Sequence, residues 1–140
     1  MISTETVQEA LITELKNDTP LSTAVGVEIR EAQWQGVDFA YPAIRVDMER
    51  MVPWHPGTCA HYMIRSKFRV LTFSEESSSF EANQLAGLVV AVLHLIYVEG
   101  TGWKSGRIRL SPGGQSAAVR VSGRVWRTET LFEVNIYGDS

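Results

Sequence analysis

Little in this chain invites cross-linking. Among its 140 residues Cys59 is the only cysteine, so no disulfide closes within the chain and a disulfide-stapled scaffold is excluded. Positive charge is not in excess either. Thirteen basic and sixteen acidic side chains leave a formal net charge of −3, and affinity for duplex DNA rests largely on neutralised phosphates. No long apolar run is present: the uncharged, mostly apolar stretch Leu85 to Val98 falls short of the roughly 20 residues that span a bilayer. Met1-Ile2-Ser3-Thr4 opens without the basic and apolar regions of an export signal, so a soluble chain made in a cytoplasm, with no membrane partner, is expected. A phosphate-cradling glycine loop is also missing. Gly100-x-Gly102 lacks the strand-to-helix context, and Gly113-Gly114 reads as a turn. With no internal repeat, low-complexity tract or linker, residues 1–140 read as one domain. Apolar residues at 44% and charged residues at 21% match an ordinary globular domain and supply enough apolar mass to offset ordering entropy.

The pattern along the chain alternates between helical and extended periods. Val7, Leu11 and Leu15 recur every four residues behind Ser3 and Thr4, which predicts a capped amphipathic helix ended by Pro20. A short helical piece, Leu21 to Val25, stops at Gly26. Val27 and Ile29 alternate with Glu28 and Arg30. After Pro42, Ile44, Val46 and Met48 alternate with Arg45, Asp47 and Glu49, the pattern of a half-buried strand. Residues 50–60 read as a long loop before a second strand, His61 to Phe73. There Ser66, Phe68, Val70 and Thr72 share one face, and Arg65, Lys67, Arg69 and Leu71 the other. Ser78 and Glu81 have capping-box spacing ahead of a long apolar helix running from about Ser79 to Val98. Gly87 inside it suggests close backbone approach. A short strand at 107–110, a turn at 111–115 and a long strand pattern from Val119 to Tyr137, bent or split at Ser122-Gly123, complete the chain. Strands follow one another without intervening helices. The expected fold class is therefore α+β: a mainly antiparallel sheet with a long core helix and an N-terminal helix packed on one face.

Chemistry is sparse. His55-x3-Cys59-x-His61 has the right ligand types for zinc, but no fourth ligand is local and the spacing matches no common module. Cys59 with His61 or His94 lacks an orienting third group for nucleophilic catalysis. His94 in the apolar helix reads as a core or interface histidine. Asp47 and Glu49 could suit acid–base work, yet alternating charges on a wet strand face are the commoner meaning. No catalytic residue, metal site or cofactor is assigned. The charged faces matter more. Arg65, Lys67 and Arg69 form a stripe that Asp47 and Glu49 on a neighbouring strand would neutralise, and Phe68 points away from it, so it offers no stacking platform beside those cations. Trp34, Trp54, Trp103 and Trp126 are four tryptophans in a small chain. Trp54 and Trp103 lie in turn-rich stretches where full burial is hard, and Trp54, with Met51 and His55, reads as a partner-contact loop.

Thr6 to Leu15, Tyr41-Pro42-Ala43-Ile44-Arg45-Val46, Arg69-Val70-Leu71-Thr72-Phe73-Ser74 leading to Glu81–Leu93, and Gly123-Arg124-Val125-Trp126-Arg127 before Leu131–Tyr137 carry a resemblance in their order and spacing. In these stretches the chain resembles the tail terminator (tail completion) proteins of long-tailed bacteriophages. The resemblance implies a homo-oligomeric ring, typically a hexamer, in the virion after assembly in the host cytoplasm. Such a ring caps the tail tube protein and gives the head–tail connector its docking surface. Genomic DNA passes through without specific binding. It implies no catalysis and no cofactor. Asp47, Glu49, Arg65, Lys67 and Arg69 then become candidate channel-lining or subunit-contact charges. Met51, Trp54 and His55 become a candidate partner contact. The stretch 50–62 is longer than the family pattern, which leaves a head–tail joining or neck protein open. Two other classes stay open: a small nucleic-acid-binding module on Arg65, Lys67 and Arg69, and a metal-dependent or cysteine enzyme on His55, Cys59 and His61.

Overall fold

The computed structural model describes residues 2–26, 28–31, 40–53 and 61–139. Helix α1 (Thr4–Lys16) starts where Ser3 Oγ accepts the Thr6 amide at 3.3 Å, and it buries Val7, Leu11 and Leu15 completely. Helix α2 (Thr19–Val25) is capped by Asp18, whose carboxylate accepts from Leu21 N at 3.1 Å. Strand β1 (Ile29–Glu31) runs parallel to β2 (Ala43–Pro53), which pairs antiparallel with β3 (His61–Ser74). Helix α3 (Phe80–Leu93) follows, then β4 (Glu99–Gly100), β5 (Trp103–Ser105), β6 (Arg109–Gln115), β7 (Val119–Ser122) and β8 (Val125–Asp139).

One sheet unites the strands in the order β1-β2-β3-β8-β5-β4. Strand β8 is its spine. One edge pairs with β3 from end to end, while β7, β6 and β5 share the other edge in succession. The fold is α+β and mainly antiparallel, as the alternation predicts. Its parallel pair, β1 with β2, is a feature the short Val27–Arg30 pattern does not reveal.

The helices pack on one face of this sheet. Ile44 and Val46 of β2, Ile64, Phe68 and Val70 of β3, and Phe132, Val134 and Ile136 of β8 are buried beneath them with Leu85, Val89 and Leu93 of α3. Phe68 and Phe132 stack across strands with ring centroids 5.2 Å apart, an arrangement worth about 0.5–1.5 kcal/mol beyond area burial. Two hydroxyls on this face pair with each other, while Ser66 Oγ and Thr130 Oγ1 are buried with no hydrogen-bond partner among the described residues. Thr72 Oγ1 donates to Ala82 O in the first turn of α3 at 2.9 Å, which leaves Thr128 Oγ1 to donate to Thr72 Oγ1.

Several expectations need correcting. Helix α3 ends at Leu93 rather than near Val98, because residues 94–98 turn to pair with 105–110. Leu95 N donates to Ile108 O and Ile108 N donates to Ile96 O. His94 therefore sits exposed at the helix end, its Nδ1 accepting from Leu110 N at 3.1 Å, rather than in the core. The capping box does not form. Ser79 is the N-cap without a side-chain bond, and Glu81 instead accepts from Ser74 Oγ at 2.7 Å. Gly87 is exposed with open space around it, so no close approach explains it. Trp103, expected to resist burial in its turn-rich stretch, is only 7% exposed, because its indole lies where a Cβ at Gly100 would collide with it. Residues 111–115 continue β6 as a bulged strand rather than a turn, with Gly113 taking the positive φ. The split near Ser122-Gly123 is observed: Gly123, at φ +43°, turns β7 into β8.

Candidate interaction surface

No described helix covers the second face of the sheet, and Asp47, Arg65, Lys67 and Arg69, four of the charged residues that the sequence singles out, lie there. Its two ends differ. At the β1 end, Arg45 is 2% exposed, and both terminal nitrogens of its guanidinium are bonded. Nη2 meets Glu28 Oε1 at 3.1 Å, and Nη1 donates to the carbonyls of Glu28 and Ile44 at 3.2 and 3.0 Å. Arg30 Nε approaches the other Glu28 oxygen at 3.7 Å. Burial draws the Arg45 pKa below its ordinary value while the Glu28 hydrogen bond and charge oppose the shift. Next along the face, Arg69 Nε bonds Asp47 Oδ2 at 2.9 Å, and its Nη1 bonds Glu129 Oε1 at 3.2 Å. The hydrogen bond that Arg69 donates to Asp47 is the main cause of a raised Arg69 pKa, against some burial. The guanidinium is thus charged at neutral pH, and its contribution is lost only as pH rises through that raised value, in strong alkali.

Then the register changes. Met48 pairs with Phe68, but Arg50 rather than Glu49 pairs with Lys67, because a bulge falls between Met48 and Arg50. The bulge takes Glu49 out of the alternation. The expected Asp47 and Glu49 neutralisation of the stripe is therefore only half realised: Asp47 holds Arg69, and Lys67 faces another cation. It also removes the paired-carboxylate arrangement that acid–base work would need. Met51 now sits opposite Ser66 and packs, half-buried, against the core, instead of standing in a loop. Val52 stands opposite Arg65.

Beyond the bulge the face is cationic. Lys67 and Arg109 flank Glu133 in register, and Arg65 faces Asn135. Arg50, Arg65, Lys67 and Arg109 are exposed. Among the described residues Arg50, Lys67 and Arg109 form no ion pair. An open recess of about 390 Å³ lies between Arg65, Lys67, Arg109, Glu133 and Asn135. Arg50 and Arg109 also belong to this surface, beyond the residues that the alternation singles out. The signal for Arg50 was present: apolar positions step by two through Ile44, Val46 and Met48, then by three to Met51. Arg109 gave no signal, because its place beside Glu133 depends on which strand joins the free edge of β8.

Trp54, His55 and Cys59 lie outside the described residues, and so does the side chain of His61. The partner-contact loop and the zinc or cysteine arrangements built on them therefore have no structural description. Among the described residues no group of three His, Cys, Asp or Glu side chains could hold a metal ion, and no helix is long and apolar enough to cross a membrane.

No family model matches the sequence, and no curated protein matches it. The fold is shared. A chain of a solved structure, "Virion of native gene transfer agent (GTA) particle", superposes with a TM-score of 0.79 over 94% of this chain and 95% of that one, at 18% sequence identity. At that identity the likeness establishes the fold: the same α+β architecture, end to end, occurs in a virion component.

Proposed function

We propose that this chain is a structural, non-enzymatic subunit of a phage-type virion, and specifically its tail terminator. In this reading copies of the chain close into a ring, a hexamer, that caps the tail tube and presents a docking surface to the head–tail connector. Genomic DNA passes through the ring, which assembles in the host cytoplasm and stays at the tail or neck of the virion. One observation carries the reading: the near-complete fold match, covering 94% of this chain and 95% of the other, to a chain of a virion particle. The ordered resemblance of four stretches to tail terminators narrows it from virion protein to this role.

The surface supports assembly. A ring needs a heterologous interface that closes on itself. Phe80, Tyr97 and Val119 are 74%, 59% and 50% exposed, and Leu95 is held outward at a positive φ that non-glycine residues adopt only at some cost. Exposed aromatic and aliphatic anchors of this kind suit subunit contacts. The stretch 50–62, longer than the family pattern, favours a second reading within the same class, a head–tail joining or neck protein.

Light scattering of the purified chain, alone and with preassembled tail tubes, tests the proposal. The expected result is a ring-sized oligomer, or a monomer that forms rings on tube ends and stops their growth. A chain that stays monomeric and leaves tube length unchanged overturns the terminator role. Rings that bind connector but not tube select the neck protein.

A further inference from the structure

We propose that the cationic end of the open sheet face binds the phosphate backbone of duplex DNA without regard to sequence. The inference rests on the charge geometry of one subunit and does not depend on the ring.

The bulge after Met48 sets Arg50 directly opposite Lys67, and β6 brings Arg109 to the far side of Glu133, so three cations and one carboxylate form a single row across β2, β3, β8 and β6. At roughly 4.8 Å per strand the row spans roughly 14 Å. That is the scale of several phosphates, spaced roughly 3.4 Å apart along each strand's axis. The adjacent row adds Arg65 and the amide of Asn135, a donor suited to a phosphate oxygen. Like charges opposite one another on a sheet are unfavourable, and among the described residues Arg50, Lys67 and Arg109 have no ion-pair partner. A polyanion laid along the face would relieve that repulsion.

Shape and chemistry favour phosphates over bases and over an acidic protein. Phe68, the aromatic residue within the stripe, is fully buried on the opposite face against Phe132, so the stripe itself offers no base-stacking platform. Across these two rows the only large apolar side chain is Val52, whereas a protein partner draws most of its affinity from buried anchors. With so few phosphates neutralised the affinity is modest and strongly salt-dependent, which suits a surface that DNA must pass.

Fluorescence anisotropy with two labelled random-sequence duplexes, titrated with salt, tests this on the full chain. Three neutralised phosphates predict a log K against log salt slope of about −2.7, a loss of roughly 40-fold between 50 and 200 mM salt. Arg50→Ala, Lys67→Ala and Arg109→Ala should each flatten the slope by about 0.9 and weaken both duplexes alike. Arg120→Ala is the control, since Arg120 lies over the Trp126 ring, away from this row, and should leave the slope unchanged. Circular dichroism confirms that each variant keeps its fold; if one does not, the other two decide. Absence of binding at 50 mM salt, or equal weakening by Arg120→Ala, overturns the proposal. Poly-L-glutamate binding as tightly as DNA, with the same slope, also overturns it and points to an acidic protein surface instead.

Discussion

The two ends of the open sheet face use the same residue type to opposite purpose. At the β1 end, Arg45 is buried and its charge is answered by Glu28, while Arg69 is shared between Asp47 and Glu129. Past the bulge, Arg50 and Lys67 confront each other in the open, with Arg109 nearby and no ion pair among the described residues. The sequence alternates charge along β2 in a way that would have neutralised both ends. One inserted residue in the ladder confines neutralisation to the first. Ion pairing at one end therefore serves the fold, and unpaired charge at the other is available for a partner.

The largest effect that sharpens this contrast should come from Arg45. Arg45→Ala strands the buried Glu28 carboxylate and should cost about 3–5 kcal/mol in chemical denaturation. The paired replacement Arg45→Met with Glu28→Leu should recover most of that loss; failure to recover would mean that the ion pair does more than cancel its own burial. Next comes the covered face. Thr72→Val leaves the Thr128 hydroxyl and the Ala82 carbonyl without their partner and should cost about 1–3 kcal/mol, read from the urea midpoint. Smaller still is the half-exposed pair of Arg69 and Asp47. A double-mutant cycle should give a coupling below about 1 kcal/mol that shrinks with added salt, because solvent screens it. The smallest change is expected at Lys67 and Arg50, where either alanine variant should stay within about 0.5 kcal/mol of wild type or gain slightly through relieved repulsion. If Lys67→Ala destabilises as much as Arg69→Ala does, the contrast between the two ends is broken.

How much of this was legible beforehand depends on the range of the interaction. The faces of β3 and β8 could be read from alternation, because a residue's side of a strand is local geometry. Thr72, Phe68 and Phe132 all fall on the side expected. The end of helix α3 is not legible in the sequence, since Leu95, Ile96 and Val98 are as apolar as a helix interior, and only their pairing with 105–110 marks them as extended. The candidate surface was half legible. Arg65, Lys67 and Arg69 are visible as a stripe, but the alternation offers Glu49 a pairing that the bulge denies it.

From the sequence alone come the α+β class, the amphipathic α1, the two faces of the long strands and the weakness of any catalytic motif, because composition, spacing and period settle these. Tertiary structure decided which charges meet. It placed Glu28 against Arg45 through a parallel pairing, Arg50 against Lys67 through a register shift, and Arg109 beside Glu133 through a third strand on the edge of β8. Contacts of this kind join residues far apart in the chain, and a change of one residue in register replaces a carboxylate by a guanidinium at the same point in space.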